Sequence, residues 1–196
     1  MTATLFPRQY EKKVATIIGG KHMKIGFIGL GKMGSVMAPH LSKKTTHIIG
    51  YDLNWHLPAE SPIRRAASLS EVNECDIIFT MLPDGTIVEE IVSSLLGCGT
   101  KALFVDMSSC HPKTSSQLSK LLTPTGQRAL DAPVSGGQAG AENGQLSVMC
   151  GGKEETFEIV ESVISVYAKA VNLIGPVGSG QTTKMVNQIC IAGLVQ

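Results

Sequence analysis

The sequence predicts an α/β fold built on a doubly wound, mostly parallel sheet. Three observations predict it. Short apolar segments that suit strands buried on both faces alternate with segments of helical spacing. This alternation continues along most of the chain, as in parallel sheets with helices on both faces. The first strand also runs directly into a glycine-rich turn that opens a helix.

The elements follow one another with short connections. Strands are predicted at residues 23–29, 47–52, 75–82, 101–107, 128–133, 146–152 and 168–175. Helices are predicted at residues 32–43, 85–96, 112–122 and 153–167. A last helix is expected to leave the domain after residues 175–180.

Composition is that of a globular protein. Of 196 residues, 43% are hydrophobic and 17% charged, which argues against disorder. The net charge of +1 gives no indication of a nucleic-acid or membrane surface. Five scattered cysteines and five histidines show no ligand spacing, so no metal site and no disulfide framework is expected.

A phosphate-binding loop is predicted at "GLGKMG", which matches the pattern G-x-G-x-x-G. The first glycine permits a tight turn, the second lets a pyrophosphate approach the backbone, and the third lets helix and strand pack closely. A plain strand-to-helix turn is the alternative, but the flanking strand and helix favour a dinucleotide-binding Rossmann domain. The predicted cofactor contacts in this loop are Gly29, Leu30, Gly31, Lys32, Met33 and Gly34.

Asp52 ends the second strand, 18 residues after Gly34. A carboxylate there can accept hydrogen bonds from the ribose hydroxyls of NAD and would repel the 2′-phosphate of NADP. No arginine follows immediately, so NAD is favoured over NADP. The alternative is an aspartate that only caps a turn.

Two further strand ends are expected at the same edge of the sheet. Leu82 and Pro83 end the strand at residues 75–82 and are predicted to pack against the cofactor. Ser108 and Ser109 follow the next strand, where they either hydrogen-bond the cofactor, with Ser109 as the predicted contact, or cap the following helix.

Two later segments carry groups suited to a small acid. In "DAPVSGGQAGAENG", Ser135 and two glycines offer a hydroxyl and several N–H groups, which can bind a carboxylate; a glycine-rich turn without function is the alternative. On a helix, Lys184, Asn187 and Gln188 share one face. A lysine whose pKa is lowered by burial can act as a general acid or base, whereas a solvated lysine would do nothing.

These motifs, "GFIGLGKMG", "MLP", "DAPVSGG" and "GSGQTTKMVNQ", together resemble the β-hydroxyacid dehydrogenases, the family of 3-hydroxyisobutyrate dehydrogenase and tartronate semialdehyde reductase. The resemblance runs from about residue 23 to the C-terminus. It implies reversible, NAD(P)-dependent oxidation of a small β-hydroxyacid to its semialdehyde. It implies Lys184 as the catalytic acid/base, and a substrate site made by Ser135, Gly136, Gly137, Asn187 and Gln188.

Details of the resemblance refine these expectations. The Asn187–Gln188 pair is more similar to the tartronate semialdehyde reductase branch, while 6-phosphogluconate dehydrogenases are disfavoured because they lack "DAP". Cys110 stands where some members have a cofactor-contacting threonine, so that contact is not carried over. Imine-reducing relatives typically lose the lysine that this chain keeps.

The resemblance also implies a second, helical domain that normally closes the pocket and forms the dimer. We therefore expect an extension at 1–22, a Rossmann domain at 23–177, and the start of a truncated helical domain at 178–196. The alternative function is a non-catalytic dinucleotide-binding module. The expected partner is a small carboxylate substrate, with no nucleic acid or membrane, a homo-oligomer if the helical domain is present, and a cytoplasmic or mitochondrial location.

Overall fold

A computed structural model describes residues 23–195, and the predicted extension at residues 1–22 lies outside them. The strands are β1 Lys24–Ile28, β2 His47–Tyr51, β3 Arg64–Arg65, β4 Ile77–Thr80, β5 Leu103–Asp106, β6 Ala129–Asp131, β7 Val134–Ser135, β8 Leu146–Gly151 and β9 Ala168–Gly175. The α-helices are α1 Gly34–Met37, α2 Gly85–Gly97, α3 Pro112–Leu122, α4 Gly137–Glu142, α5 Glu154–Ile164 and α6 Ser179–Val195. Four 3-10 segments, Ala38–Lys43, Leu69–Glu74, Thr123–Thr125 and Ser165–Tyr167, complete the regular structure of these residues.

The strands form one mostly parallel sheet, which confirms the predicted fold class. β3, β2, β1, β4, β5 and β6 lie side by side and are parallel. β8 is antiparallel to β6 and β7, and β9 is parallel to β8 on its other side. The chain moves outward from β1 to β3 and then returns to β4, so the strand order reverses between β1 and β4. Ligands of doubly wound sheets bind at this reversal, beyond the carboxyl ends of the strands.

The sheet is buried on both faces because its central strands are largely apolar, with the polar residues Thr80 and Asp106 only at the ends of β4 and β5. All four residues of β4 are buried, and successive side chains enter opposite layers. Phe27 and Phe79 stack in one layer with their ring centroids 6.0 Å apart. Ile28 and Ile78 belong to the other layer. The two layers hold the strand ends, and hence the site, in fixed positions.

The predicted elements differ from the structure mainly in irregular stretches. The predicted helix at 32–43 is α-helical only over α1 and continues as the 3-10 segment Ala38–Lys43. Pro39 lies in that segment and has no N–H group to donate, which disfavours a continuous α-helix. β3 was not predicted, because two exposed arginines carry no strand pattern.

No element was predicted for residues 134–145, between two predicted strands, and this region contains β7 and α4. The prediction that Ser108 or Ser109 caps α3 is also wrong: the N-cap of α3 is His111, whose Nδ1 accepts a hydrogen bond from the Lys113 N–H.

In residues 23–195, no helix has the length and apolar character needed to cross a membrane.

Candidate functional site

A cleft of about 560 Å³ opens at the reversal point, beyond the carboxyl ends of β1, β2 and β4. It collects segments that are far apart in sequence, because parallel strands end at the same edge of a sheet. Its lining includes the predicted residues Gly29, Gly31, Lys32, Met33, Gly34, Asp52, Leu82 and Pro83, together with Tyr51, Asn54, His56 and Ile87.

The glycine loop has the backbone geometry that its pattern predicts. Gly29 has φ 93°, and a side chain there would collide with the Met81 carbonyl group at the end of β4. A side chain at Gly34 would overlap the carbonyl group of Gly29, so α1 packs directly on the turn. Gly31 is exposed, and a Cβ atom there would meet no protein atom within 4 Å. The loop is therefore tight against the sheet on one side and open to the cleft at Gly31.

Asp52 forms one wall of the cleft and is held by two backbone N–H groups. Its Oδ2 accepts a hydrogen bond from Leu30 N at 2.5 Å, and its Oδ1 accepts one from Asn54 N at 2.7 Å. The side chain of Leu30 is buried in the core. The carboxylate is thus fixed in direction, and each oxygen keeps a lone pair for another donor.

The ends of β4 and β5 are joined by Ser108. Ser108 is fully buried, its Oγ accepts a hydrogen bond from Leu82 N at 2.9 Å, and its own N–H donates to Asp106. Ser109 is exposed and lies outside the lining of the cleft. Leu82 and Pro83 line the cleft beside the glycine loop, as the sequence predicted for that edge.

The first turns of α6 bring the later motifs together. Asn187 Nδ2 donates to Ser135 Oγ at 3.2 Å, although 52 residues separate them in sequence. Lys184 Nζ donates to Gln188 Oε1 at 3.1 Å. Lys184 is half-buried, and this burial lowers the pKa of its amine from the ordinary lysine value. A lysine with a lowered pKa is a better proton acceptor near neutral pH.

The two glycines of "DAPVSGG" lie where β7 passes into α4. Gly136 and Gly137 are both exposed, and Gln188 is exposed on α6. Ser135 is half-buried between them and Asn187. The hydroxyl, the exposed backbone after it and the lysine helix therefore form two sides of one open surface.

Asp131 was named in the sequence only as the start of a motif, but it anchors α6. It is 3% exposed, its Oδ1 accepts a hydrogen bond from Gly178 N at 2.7 Å, and its Oδ2 accepts one from Gln181 N at 3.0 Å. A carboxylate at a helix N-terminus satisfies free N–H groups and interacts favourably with the helix dipole. An aspartate at the end of an apolar strand was the feature that could have revealed it.

α6 packs against β8 at two facing glycines, Gly180 on the helix and Gly151 on the strand. A Cβ atom on Gly180 would collide with the carbonyl group of Met149, and one on Gly151 would lie 2.7 Å from Gly180 N. The helix therefore starts in backbone contact with β8. Gly180 of "GSGQ" serves this close packing, a role that the sequence alone did not predict.

The chain matches a known protein family and is similar in sequence to several oxidoreductases. Residues 24–175 match the family model described as the NAD binding domain of 6-phosphogluconate dehydrogenase. The chain is 39% identical over 184 residues to 2-hydroxy-3-oxopropionate reductase of Escherichia coli, covering 87% of this chain and 61% of that protein. It is 38% identical over 182 residues to an uncharacterized oxidoreductase of Shewanella frigidimarina, covering 88% of this chain and 62% of that protein.

The fold is also similar to that of a solved structure. The solved structure of Mycobacterium tuberculosis 3-hydroxyisobutyrate dehydrogenase with L-serine superposes with a TM-score of 0.77 at 31% identity, over 87% of this chain and 60% of that one. The chain thus spans about three fifths of the length of these relatives. Because the family model covers most of the chain and falls on the sheet that forms the cleft, this chain belongs to the family of the NAD-binding domain of 6-phosphogluconate dehydrogenase.

Proposed function

We propose that the cleft binds NAD(H), with the pyrophosphate over Gly31 and the adenosine ribose against Asp52. The observation that carries this proposal is the fixed carboxylate of Asp52 beside an unobstructed glycine loop. The residues fit a dinucleotide, because Gly31 leaves open space where phosphate oxygens would meet backbone N–H groups. Leu82 and Pro83 supply apolar contact on the opposite wall.

NAD is favoured over NADP for an electrostatic reason. Two N–H groups hold the Asp52 carboxylate at the wall of the cleft, and a 2′-phosphate bound against that wall would meet a negative charge. Lys32 and His56 also line the cleft. Their side chains are exposed, so they stabilise an anion less than a fixed and partly buried group would.

The proposed reaction is the interconversion of a small β-hydroxyacid and its semialdehyde. When bound, the nicotinamide supplies the hydride acceptor or donor. Lys184 is proposed to take the proton from the substrate hydroxyl oxygen on oxidation and to return it on reduction. Ser135 and the backbone at Gly136 and Gly137 would hold the substrate carboxylate, with Asn187 and Gln188 orienting the hydroxyl.

The names of the relatives support this substrate class. The Escherichia coli relative is a 2-hydroxy-3-oxopropionate reductase, and the Mycobacterium tuberculosis relative is a 3-hydroxyisobutyrate dehydrogenase determined with L-serine. 3-Hydroxyisobutyrate and L-serine each carry a hydroxyl group on the β-carbon, and reduction of the aldehyde of 2-hydroxy-3-oxopropionate places one at the same position. A carboxylate pocket next to a lysine suits such molecules.

A second candidate, dinucleotide binding without catalysis, is favoured by exposure of the substrate surface. Gly136, Gly137 and Gln188 are exposed, whereas the cofactor cleft is lined on several sides. The far part of α6 also exposes apolar side chains, which favours association between chains: Val186, Ile189, Ile191 and Leu194.

Cofactor selection tests the proposal. We expect the 196-residue chain to bind NADH more tightly than NADPH, and Asp52→Asn to narrow that difference by about 1–3 kcal/mol, the scale of a lost charged hydrogen bond. Asparagine keeps the volume and one acceptor for the loop but removes the charge. Isothermal titration calorimetry with both cofactors measures the two affinities.

Glu74→Gln is the matched control, because Glu74 is an exposed carboxylate that pairs with Lys24 at the amino end of β1. It should leave the ratio of the two affinities unchanged. Tighter binding of NADPH by the unmodified chain would contradict the assignment, and failure to bind either cofactor would contradict the proposed function.

The open substrate surface gives a further expected result. The 196-residue chain should turn over 3-hydroxyisobutyrate or glycerate far more slowly than the ordinary enzyme range of about 1–10³ per second. Water reaches both sides of the surface, so the substrate is not held at near-attack geometry. A spectrophotometric assay of NADH formation checks this, and turnover within the ordinary range would refute it.

A further inference from the structure

Gln181 is a buried residue in the first turn of α6 whose amide oxygen, amide nitrogen and backbone N–H each have a hydrogen-bond partner. It is 1% exposed. Its Oε1 accepts a hydrogen bond from Cys110 N at 3.0 Å, and its Nε2 donates to Ser108 O at 2.7 Å. Its own N–H donates to Asp131 Oδ2. One residue of the helix is thus bonded to the loop after β5 and to β6.

The bonds of Gln181 continue to the cofactor cleft. Ser108, whose carbonyl oxygen accepts from Gln181, also accepts from Leu82 N through its Oγ. Leu82 lines the cleft. A chain of hydrogen bonds therefore runs from the wall of the cleft, through Ser108, to the helix that carries Lys184. We call it the Leu82–Ser108–Gln181 chain.

This arrangement fixes the helix in both rotation and translation. The Gln181 amide presents its acceptor to one backbone group and its donor to another, and these two partners are two residues apart in the same loop. A rotation of α6 by one residue, about 100°, would lose both bonds and leave buried polar groups without partners. Lys184 follows three residues later, on the neighbouring part of the helix surface.

We propose that Gln181 is a positioning residue that holds Lys184 in register with the cofactor cleft through the Leu82–Ser108–Gln181 chain. The proposal rests on the proposed function, in which Lys184 moves the proton while the cofactor lies against Leu82. Gln181 itself contacts neither ligand. Its effect reaches the reaction only through the place and the surroundings that it gives to Lys184.

The test replaces Gln181 by methionine, which fills a similar volume but makes neither hydrogen bond. Lysine amines are dimethylated with ¹³C-formaldehyde, and their pKa values are followed by NMR in the 196-residue chain. Lys184→Arg identifies the resonance of Lys184. In the unmodified chain its pKa should lie below the ordinary lysine value, and in Gln181→Met it should rise toward that value, because the loosened helix admits water.

Val160→Ala is the matched control. Val160 is a fully buried residue of α5, so its truncation opens a cavity in the core and lowers the melting temperature without changing any residue of α6. Its Lys184 resonance should titrate as in the unmodified chain. An unchanged Lys184 titration in Gln181→Met, or an equal rise in Val160→Ala, would overturn the proposal. If Gln181→Met does not fold, Gln181→Asn, which shortens the amide by one methylene, should give the same direction of change and is judged by the same outcomes.

NADH binding separates this proposal from the proposed function. Trp55 is the only tryptophan of the sequence, so energy transfer from it to bound NADH reports occupancy. Gln181→Met should bind NADH about as tightly as the unmodified chain, because the cleft is intact. If the unmodified chain does not bind NADH, the proposed function alone is contradicted. If the pKa of Lys184 is the same in Gln181→Met as in the unmodified chain, the role of Gln181 alone is contradicted.

Discussion

Replacing Asp131 by alanine is expected to lower the free energy of unfolding by about 2–5 kcal/mol. The change leaves two buried N–H groups, those of Gly178 and Gln181, without their acceptor. Each such group costs about 1–3 kcal/mol, and the helix also loses the negative charge at its N-terminus. Since small domains are stable by only about 5–15 kcal/mol, this loss is large.

Urea denaturation followed by circular dichroism measures the loss. Asp131→Asn is the matched variant, because it keeps one acceptor in nearly the same volume and should lose less than Asp131→Ala. Hydrogen exchange should show the first-turn amides of α6 deprotected in the alanine variant at low denaturant. Equal stability of the alanine variant and the unmodified chain would show that α6 does not depend on this anchor.

The second large effect concerns Asp106, the neighbour of Asp131 in the sheet. Thr80, Asp106 and Asp131 are register partners on β4, β5 and β6, so their side chains lie in one row. Asp106 is 4% exposed, and burial raises the pKa of its carboxyl group to about 6 from an ordinary 3.8. Within residues 23–195, Asp106 Oδ2 and Ser115 Oγ have no hydrogen-bond partner, and both residues line a small cavity.

The raised pKa makes the stability depend on pH. The folded chain holds this proton more tightly than the unfolded chain does, so the contribution is fully present below about pH 3.8 and is lost as the pH rises to about 6. Asp106→Asn has no charge to bury, and its oxygen can still accept from Thr80 Oγ1 and Ser108 N. Its unfolding free energy should exceed that of the unmodified chain at pH 7 by up to about 3 kcal/mol, and by much less at pH 4.

Urea denaturation at several pH values between 4 and 7 measures this difference. Glu90→Gln, an exposed carboxylate on α2, is the control and should follow the unmodified chain at every pH. A difference between Asp106→Asn and the unmodified chain that stays constant with pH would show that Asp106 ionises normally in the folded protein.

The general architecture was predictable because it depends on local patterns. The first three residues of β4 are apolar and all four are buried, and the pattern of the glycine loop predicts the turn after β1. β3 and β7 were missed because each has two residues and gains its pairing from a neighbouring strand. α4 is a single short helix whose glycine-rich sequence favours a loop in isolation.

The candidate site was predictable in part for the same reason. Gly29 and Asp52 stand at fixed places relative to their own strands, and the pattern locates them. Gln181 acts on a loop 71–73 residues earlier in the sequence, and Asp131 acts on a helix 47–50 residues later. Such partners are brought together by strand order and helix docking, which no local pattern contains.

The backbone contact between Gly180 and β8 also decides how α6 can move. With no side chain to compress at Gly180 or Gly151, the helix has a pivot at its start and little freedom to slide. α6 ends at Val195, so its far end lies roughly 22 Å from Gly180, while Lys184 lies only about 6 Å from it. A tilt of about 5° would then displace the far end by roughly 2 Å and Lys184 by about 0.5 Å. Any tilt of α6 about Gly180 therefore moves Lys184 much less than it moves the far end of the helix.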